Sequence, residues 1–107
     1  MILAIDVGNT NIVLGGYRDG VLLFTLRISS DMNKTSDEFA VQIKSMLSMQ
    51  NVTPSDIEGS VISSVVPPLT FLLTNALKTL TGQETLVVGP GIKTGINIRI
   101  DNPAQLG

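Results

Sequence analysis

The order of the first predicted elements constrains the fold of this chain more than any other feature, because three strand patterns precede the first helix pattern. Residues 2–5 are continuously apolar, as in a central strand covered on both faces, and this pattern ends at Asp6. Residues 12–17 and 21–28 predict two more strands, and the Asp19-Gly20 pair between them is a strong hairpin signal. A dinucleotide-binding βαβ unit needs a helix directly after its first strand, so this order argues against it.

Two helix patterns follow the three strands. Thr35 and Glu38 match a reciprocal capping box and predict the start of the first helix. The second helix is predicted between Pro68, which suits a first helical turn, and Gly82, which is a stop signal. The apolar face of the first helix is predicted to consist of Phe39, Ile43, Met46 and Leu47.

Further strand patterns complete the order of elements. Val61, Ile62, Val65 and Val66 predict a buried strand between the two helices. Residues 85–88 and 96–100 predict the last two strands, the second with alternating isoleucines. The order β-β-β-α-β-α-β-β favours an α/β domain with the ribonuclease-H-like arrangement shared by actin and the sugar kinases.

Composition excludes several kinds of chemistry. The 107 residues suffice for one domain, and they include no cysteine and no histidine. A disulfide framework, a thiolate nucleophile, a Cys/His zinc site and a histidine general base are therefore excluded. The chain has seven basic and nine acidic residues and no basic cluster, so we expect no nucleic acid as a partner.

Neither an export signal nor a membrane span is predicted. The apolar amino-terminal stretch is short and lacks a positively charged region before it, unlike a signal peptide. The uncharged run between Glu58 and Lys78 contains serines, threonines and prolines that divide it into a strand and a helix. We therefore expect a cytoplasmic protein with no membrane partner.

Asp6 and the turn after it form the first candidate site. A carboxylate at the carboxyl end of a central strand can hold a hydrated magnesium ion, while the amides of a tight turn face phosphate oxygens. Gly8 would let a phosphate approach the backbone, and Thr10 and Asn11 would add donors. The alternative is that Gly8 and Asn9 form an ordinary hairpin turn, with Asp6 as a turn-forming side chain.

Other candidate residues point to structural roles. The cluster GPGIKTG at residues 89–95 fails both the Walker and the dinucleotide patterns, so we interpret it as a loop in which Lys93 is a solvated charge. Asp101 precedes Asn-Pro and is predicted to cap a turn. Ser63 and Ser64 have no histidine to activate them, so nucleophilic catalysis is not expected from either.

Four motifs together resemble the amino-terminal half of a type III pantothenate kinase. They are DVGNTNIVLG at residues 6–15, SSVVPP at 63–68, VVGPGIKTG at 87–95 and DNPAQLG at 101–107. The resemblance implies an actin-like, two-domain enzyme of the acetate and sugar kinase superfamily. Such an enzyme transfers the γ-phosphoryl group of ATP to pantothenate and forms 4'-phosphopantothenate in the first step of coenzyme A biosynthesis.

The same resemblance implies the site residues. The pantothenate site would draw on the positions of Ile100 and Gly107, although relatives often have an aromatic residue in place of Ile100. The general-base aspartate is expected two positions beyond Gly107, followed by an arginine that holds the substrate. The ATP-binding loop would consist of Asp6, Val7, Gly8, Asn9, Thr10, Asn11, Ile12 and Val13.

Cofactors and partners also follow from the resemblance. It implies a cytosolic homodimer that uses Mg-ATP and a monovalent cation, either potassium or ammonium. We expect residues 1–107 to be an incomplete amino-terminal domain, truncated before its last helix and without the second domain, and to be inactive alone. The alternative is a chain complete at residue 107 that serves as a non-catalytic nucleotide-binding or dimerisation module.

Overall fold

The computed structural model describes residues 1–89. Four predictions lie outside the described residues: the loop around Lys93, the strand at 96–100, the turn at Asp101 and the substrate contacts of Ile100 and Gly107. Every other predicted element falls within the described part of the chain.

Within residues 1–89, the core of the fold is a mixed five-stranded sheet with the order β3-β2-β1-β4-β5. The first three strands form an antiparallel meander, whereas β4 and β5 run parallel to β1. The first strand is therefore central, as its continuous apolar pattern predicted. The strands are β1 (Ile2–Val7), β2 (Asn11–Arg18), β3 (Val21–Ser29), β4 (Gly59–Ser64) and β5 (Leu86–Val88).

Two helices connect the meander to the parallel strands, α1 (Ser36–Met49) and α2 (Pro67–Thr81), with a short 3-10 turn at Pro54–Asp56. The capping box at α1 is confirmed: the Glu38 amide donates to Thr35 Oγ1 at 3.1 Å, and the Thr35 amide donates to Glu38 Oε1 at 2.8 Å. Helix α2 ends at Thr81, and Gly82, which caps it, has a left-handed φ of 76°. The start of α1 and the end of α2 therefore follow from interactions of neighbouring residues.

Both helices pack on the same face of the sheet. Alternate residues Leu3, Ile5 and Val7 of β1 are buried in one cluster with apolar side chains of both helices. The intervening residues Ala4 and Asp6 are half-buried and point to the opposite face. The helix side of this cluster consists of Phe39, Ala40, Ile43, Leu47, Leu69, Leu73, Ala76 and Leu77.

Several predicted strand bounds differ from the structure by one or two residues. Strand β1 continues through Asp6 to Val7, because Asp6 is paired with a neighbouring strand on each side. The predicted strand at Val61–Val66 ends at Ser64 instead. Ser64 Oγ contacts both the carbonyl and the amide of Val66, so the chain turns here into α2 and leaves Val65 half exposed.

The uncharged run between Glu58 and Lys78 forms the strand and the helix that were predicted. Helix α2 has only 15 residues. Across residues 1–89, no helix is long and apolar enough to cross a bilayer.

Candidate functional site

One row of side chains crosses the face of the sheet that lies opposite the helices. Asp6 of β1 is paired with Val13 of β2 and with Ser63 of β4, and Val13 is in turn paired with Arg27 of β3. Partners in register point to the same face of a sheet. A carboxylate, a hydroxyl and a guanidinium group therefore share one row on this face.

A cavity of about 180 Å³ lies over the part of this row that Ser63, Asp6 and Val13 form. Its floor includes Gly15, where an added Cβ atom would lie 3.1 Å from Leu22 Cδ1 and 3.3 Å from Tyr17 Cε1. The absence of a side chain at Gly15 therefore keeps part of this space open. The cavity is lined by Ala4, Ile5, Asp6, Val13, Gly15, Tyr17, Leu22, Thr25, Val61 and Ser63.

Ser63 is a polar residue of this cavity whose place there was not predicted from the sequence. The residue is 3% exposed, and its Oγ atom has no hydrogen-bond partner within the described part of the chain. The sequence led us to consider Ser63 only as a nucleophile and to reject that role. Its register with Asp6 depends on the pairing of β1 with β4, which are more than fifty residues apart along the chain, so no local signal revealed it.

The loop after Asp6 is a hairpin turn between β1 and β2. The Gly8 amide donates to the Asn11 carbonyl at 2.9 Å, so this amide closes the turn and does not face a ligand. A Cβ atom at Gly8 would lie 3.3 Å from the same carbonyl, which favours glycine here. The ordinary-turn alternative thus describes the backbone correctly, while Asn9 and Thr10 remain exposed at the tip.

The eight predicted ATP-binding residues fall into three groups. Val7 and Ile12 are buried on the helix side of the sheet, so their side chains stabilise the fold and cannot contact a ligand on the opposite face. Asp6 and Val13 line the cavity. The remaining four residues are the turn and the start of β2: Gly8, Asn9, Thr10 and Asn11.

The end of β3 supports the turn from one side. Ser30 Oγ donates to the Gly8 carbonyl at 2.7 Å, and the Ser30 amide donates to the Thr10 carbonyl at 2.9 Å. Sequence reasoning did not identify Ser30, because its position beside the turn depends on the pairing of β2 with β3.

The amino terminus of α2 adds no anion cradle. Pro67 and Pro68 have no amide hydrogen, and the amides of Leu69 and Thr70 both donate to the Val66 carbonyl. Although free helix amides bind phosphates readily in other proteins, the first turn of this helix uses its available donors internally.

The donor set at this site fits a hydrated magnesium ion. Among the described residues, no group of three histidine, cysteine, aspartate or glutamate side chains could enclose a metal. Magnesium commonly keeps several waters and binds through one or two carboxylates together with substrate phosphates. Asp6 supplies one such carboxylate. Beside it, the Ser63 hydroxyl, which has no partner among the described residues, can donate a hydrogen bond to bound water or accept one from it.

Solved structures with the same fold include kinases. A candidate N-acetylglucosamine kinase of Porphyromonas gingivalis has a TM-score of 0.65 at 19% identity, over 92% of this chain and 37% of that one. The ROK hexokinase of Thermus thermophilus has a TM-score of 0.68 at 13% identity, over 92% of this chain and 38% of that one. This chain thus spans less than two fifths of either kinase.

A protein with a different role shares the fold. The RuvC protein of Thermus thermophilus, solved with a Holliday junction substrate, has a TM-score of 0.56 at 16% identity, over 99% of this chain and 78% of that one. At such identities the likeness shows the fold alone. The predicted ribonuclease-H-like, actin-like fold is thereby confirmed.

A family-level comparison goes beyond the fold. The family described as type III pantothenate kinase matches this chain over residues 2–107. The match covers nearly all of the sequence, including the strand with Asp6, the loop after it and the strand with Ser63. The chain belongs to the type III pantothenate kinase family.

Proposed function

We propose that this chain forms the phosphate-binding part of an enzyme that phosphorylates pantothenate with ATP and so begins coenzyme A biosynthesis. The observation that carries the proposal is the family match over residues 2–107. The fold shared with sugar kinases supports phosphoryl transfer as the class of reaction. The position of Asp6 in an open cavity supports this face of the sheet as the site.

The described residues have distinct roles in this proposal. Asp6 holds a hydrated magnesium ion, and the exposed tip of the turn, Asn9 and Thr10, contacts phosphate oxygens of the nucleotide. The ion supplies positive charge that offsets the negative charge of the phosphates during transfer. Phosphoryl transfer depends mainly on positioning and electrostatics, so a rigid turn beside a carboxylate suits this task.

The remaining parts of the proposal come from the family resemblance. Ile100 and Gly107 contact pantothenate, and the general base follows Gly107 by two positions in the full enzyme. The enzyme is a cytoplasmic homodimer that uses potassium or ammonium in addition to Mg-ATP. With seven basic and nine acidic residues, this chain is not suited to a nucleic-acid partner.

Titration of the 107-residue chain with Mg-ATP, followed by NMR of the backbone amides, tests the proposed site. We expect chemical-shift changes at residues 8–11, and none at the Asp19-Gly20 turn, which lies at the opposite end of β2. The matched control is Asp6→Asn, which keeps the size of the side chain and removes its charge. If millimolar Mg-ATP changes nothing at residues 8–11, the site is not a nucleotide site.

A further inference from the structure

We propose that the Ser63 hydroxyl positions the divalent cation of the Asp6 site by hydrogen bonding to its hydration shell. This inference rests on the proposed function, because it assumes that Asp6 holds a hydrated cation together with ATP. It adds a second strand, β4, to a site that the sequence motifs assign to the first strand and its turn.

The first argument is the unsatisfied state of the hydroxyl. Buried polar atoms in folded proteins almost always have a hydrogen-bond partner, because moving a polar atom out of water without giving it a partner costs free energy. Ser63 Oγ is buried and has no such partner among residues 1–89. An exception of this kind at a cavity wall indicates a group that is completed by a bound water or ligand.

The second argument is the contrast with the other serines of β4. Ser60 Oγ lies 2.8 Å from Thr85 Oγ1, and Ser64 Oγ donates to the Val66 carbonyl at 3.1 Å. These two hydroxyls therefore have structural partners within the fold. Ser63 differs from both because it faces the cavity and not a neighbouring backbone or hydroxyl group.

The third argument is the register with Asp6. Ser63 and Asp6 are paired across β4 and β1, and both line the cavity. Neighbouring strands lie about 4.8 Å apart, so the hydroxyl and the carboxylate can share one layer of bound water. The cavity volume of about 180 Å³ holds several waters, since each needs only about 10–15 Å³ of such space. The arrangement thus suits a cation that keeps its water shell.

The experiment compares variants of the 107-residue chain for binding of Mg-ATP and of metal-free ATP, measured by calorimetry with and without a chelator. We expect Ser63→Ala to weaken Mg-ATP binding about 3- to 10-fold, the usual effect of one lost hydrogen bond between uncharged groups such as a hydroxyl and a water. Binding of metal-free ATP should stay unchanged. Ser63→Thr retains a hydroxyl and should restore most of the affinity for Mg-ATP.

The matched control is Ser64→Ala, the next residue of the strand, which faces the helices. We expect it to lower the melting temperature and to leave both ATP affinities unchanged. Ser63→Ala should show the opposite pattern, with weaker Mg-ATP binding and no loss of thermal stability.

Three results would overturn the inference. If Asp6→Asn abolishes Mg-ATP binding but Ser63→Ala binds it like the wild type, the site stands and only the role of Ser63 is wrong. If Ser63→Ala weakens the binding of Mg-ATP and of metal-free ATP equally, the hydroxyl does not act on the cation. If the wild-type chain does not bind Mg-ATP, the proposed function fails, and the inference fails with it.

Discussion

The side-chain hydroxyl of Ser30 donates a 2.7 Å hydrogen bond to the backbone carbonyl of Gly8. This contact joins the end of β3 to the turn after β1, across 22 positions of the chain. A second bond, from the Ser30 amide to the Thr10 carbonyl, supports the other side of the turn. The turn that follows Asp6 is therefore held by the third strand as well as by its own hairpin.

Ser30→Ala should loosen this turn. We expect the loss of the part-buried hydrogen bond to lower the free energy of unfolding by about 0.5–1.5 kcal/mol, measured by urea denaturation. Mg-ATP should bind more weakly, because its contacts at the turn become less ordered. The control is Ser29→Ala, the exposed neighbour in β3, which should alter neither quantity. Equal effects from the two variants would contradict a specific role for Ser30.

Gly16→Ala should destabilise the meander. A Cβ atom at Gly16 would clash with the Phe24 ring on the paired strand, so the ring must move. Overpacking of this kind costs about 1–3 kcal/mol, or roughly 4–8 °C in melting temperature per kcal/mol for a small domain. Gly89→Ala is the matched control, since no atom of the described residues lies within 4 Å of its Cβ position. An unchanged melting temperature in Gly16→Ala would contradict the packing described here.

Asp56 should contribute to acid sensitivity. The Thr53 amide donates to Asp56 Oδ2 at 2.9 Å, and this bond, together with one from the Thr53 hydroxyl, holds the pKa of the carboxyl below its ordinary value of 3.8. A lowered pKa in the folded state adds stability that is present above the ordinary pKa and is lost as the pH falls through the folded-state pKa. Asp56→Asn should therefore show a smaller fall in melting temperature than the wild type on acidification below about pH 4.

The test compares how far the melting temperatures of the two proteins fall in acid. If the wild type and Asp56→Asn lose the same number of degrees between neutral pH and about pH 2.5, the contact with Thr53 does not contribute to acid stability.

Ser63→Ala should leave the folded state at least as stable as before. The hydroxyl is buried without a partner among the described residues, and such a group typically costs about 1–3 kcal/mol. Its removal should raise the free energy of unfolding by about 1 kcal/mol after the small void is counted. A decrease of more than about 1 kcal/mol in urea denaturation would show that Ser63 is a structural residue.

The order of strands and helices could be predicted from the sequence, because the patterns that mark each element are local. The apolar run at residues 2–5, the Asp19-Gly20 turn and the Thr35 capping box each depend on a few neighbouring residues, and all three were confirmed. The strand ends were harder to predict. Val65 and Val66 are as apolar as the strand before them, but the bonds of Ser64 with Val66 and the Pro67 that follows end the strand pairing there.

The candidate site depended on contacts that no local pattern reveals. Asp6 was identified from its place at the end of an apolar run, which is a local signal. Ser63 and Ser30 reach the site only through the pairing of β4 with β1 and of β3 with β2. A single sequence gives the residues of each strand but not the register between strands, so these two serines could not be assigned to the site before the structure was known.

Phosphorylation of pantothenate by the protein expressed from its native gene is the decisive test of the proposed function. The measurement is the ATP-dependent formation of 4'-phosphopantothenate by the wild type and by Asp6→Asn. We predict product with the wild type and a decrease of about 100-fold or more in the variant, because the carboxylate that holds the cation is lost. No product from the wild type would contradict the proposed function, and equal rates from the two proteins would contradict the role of Asp6.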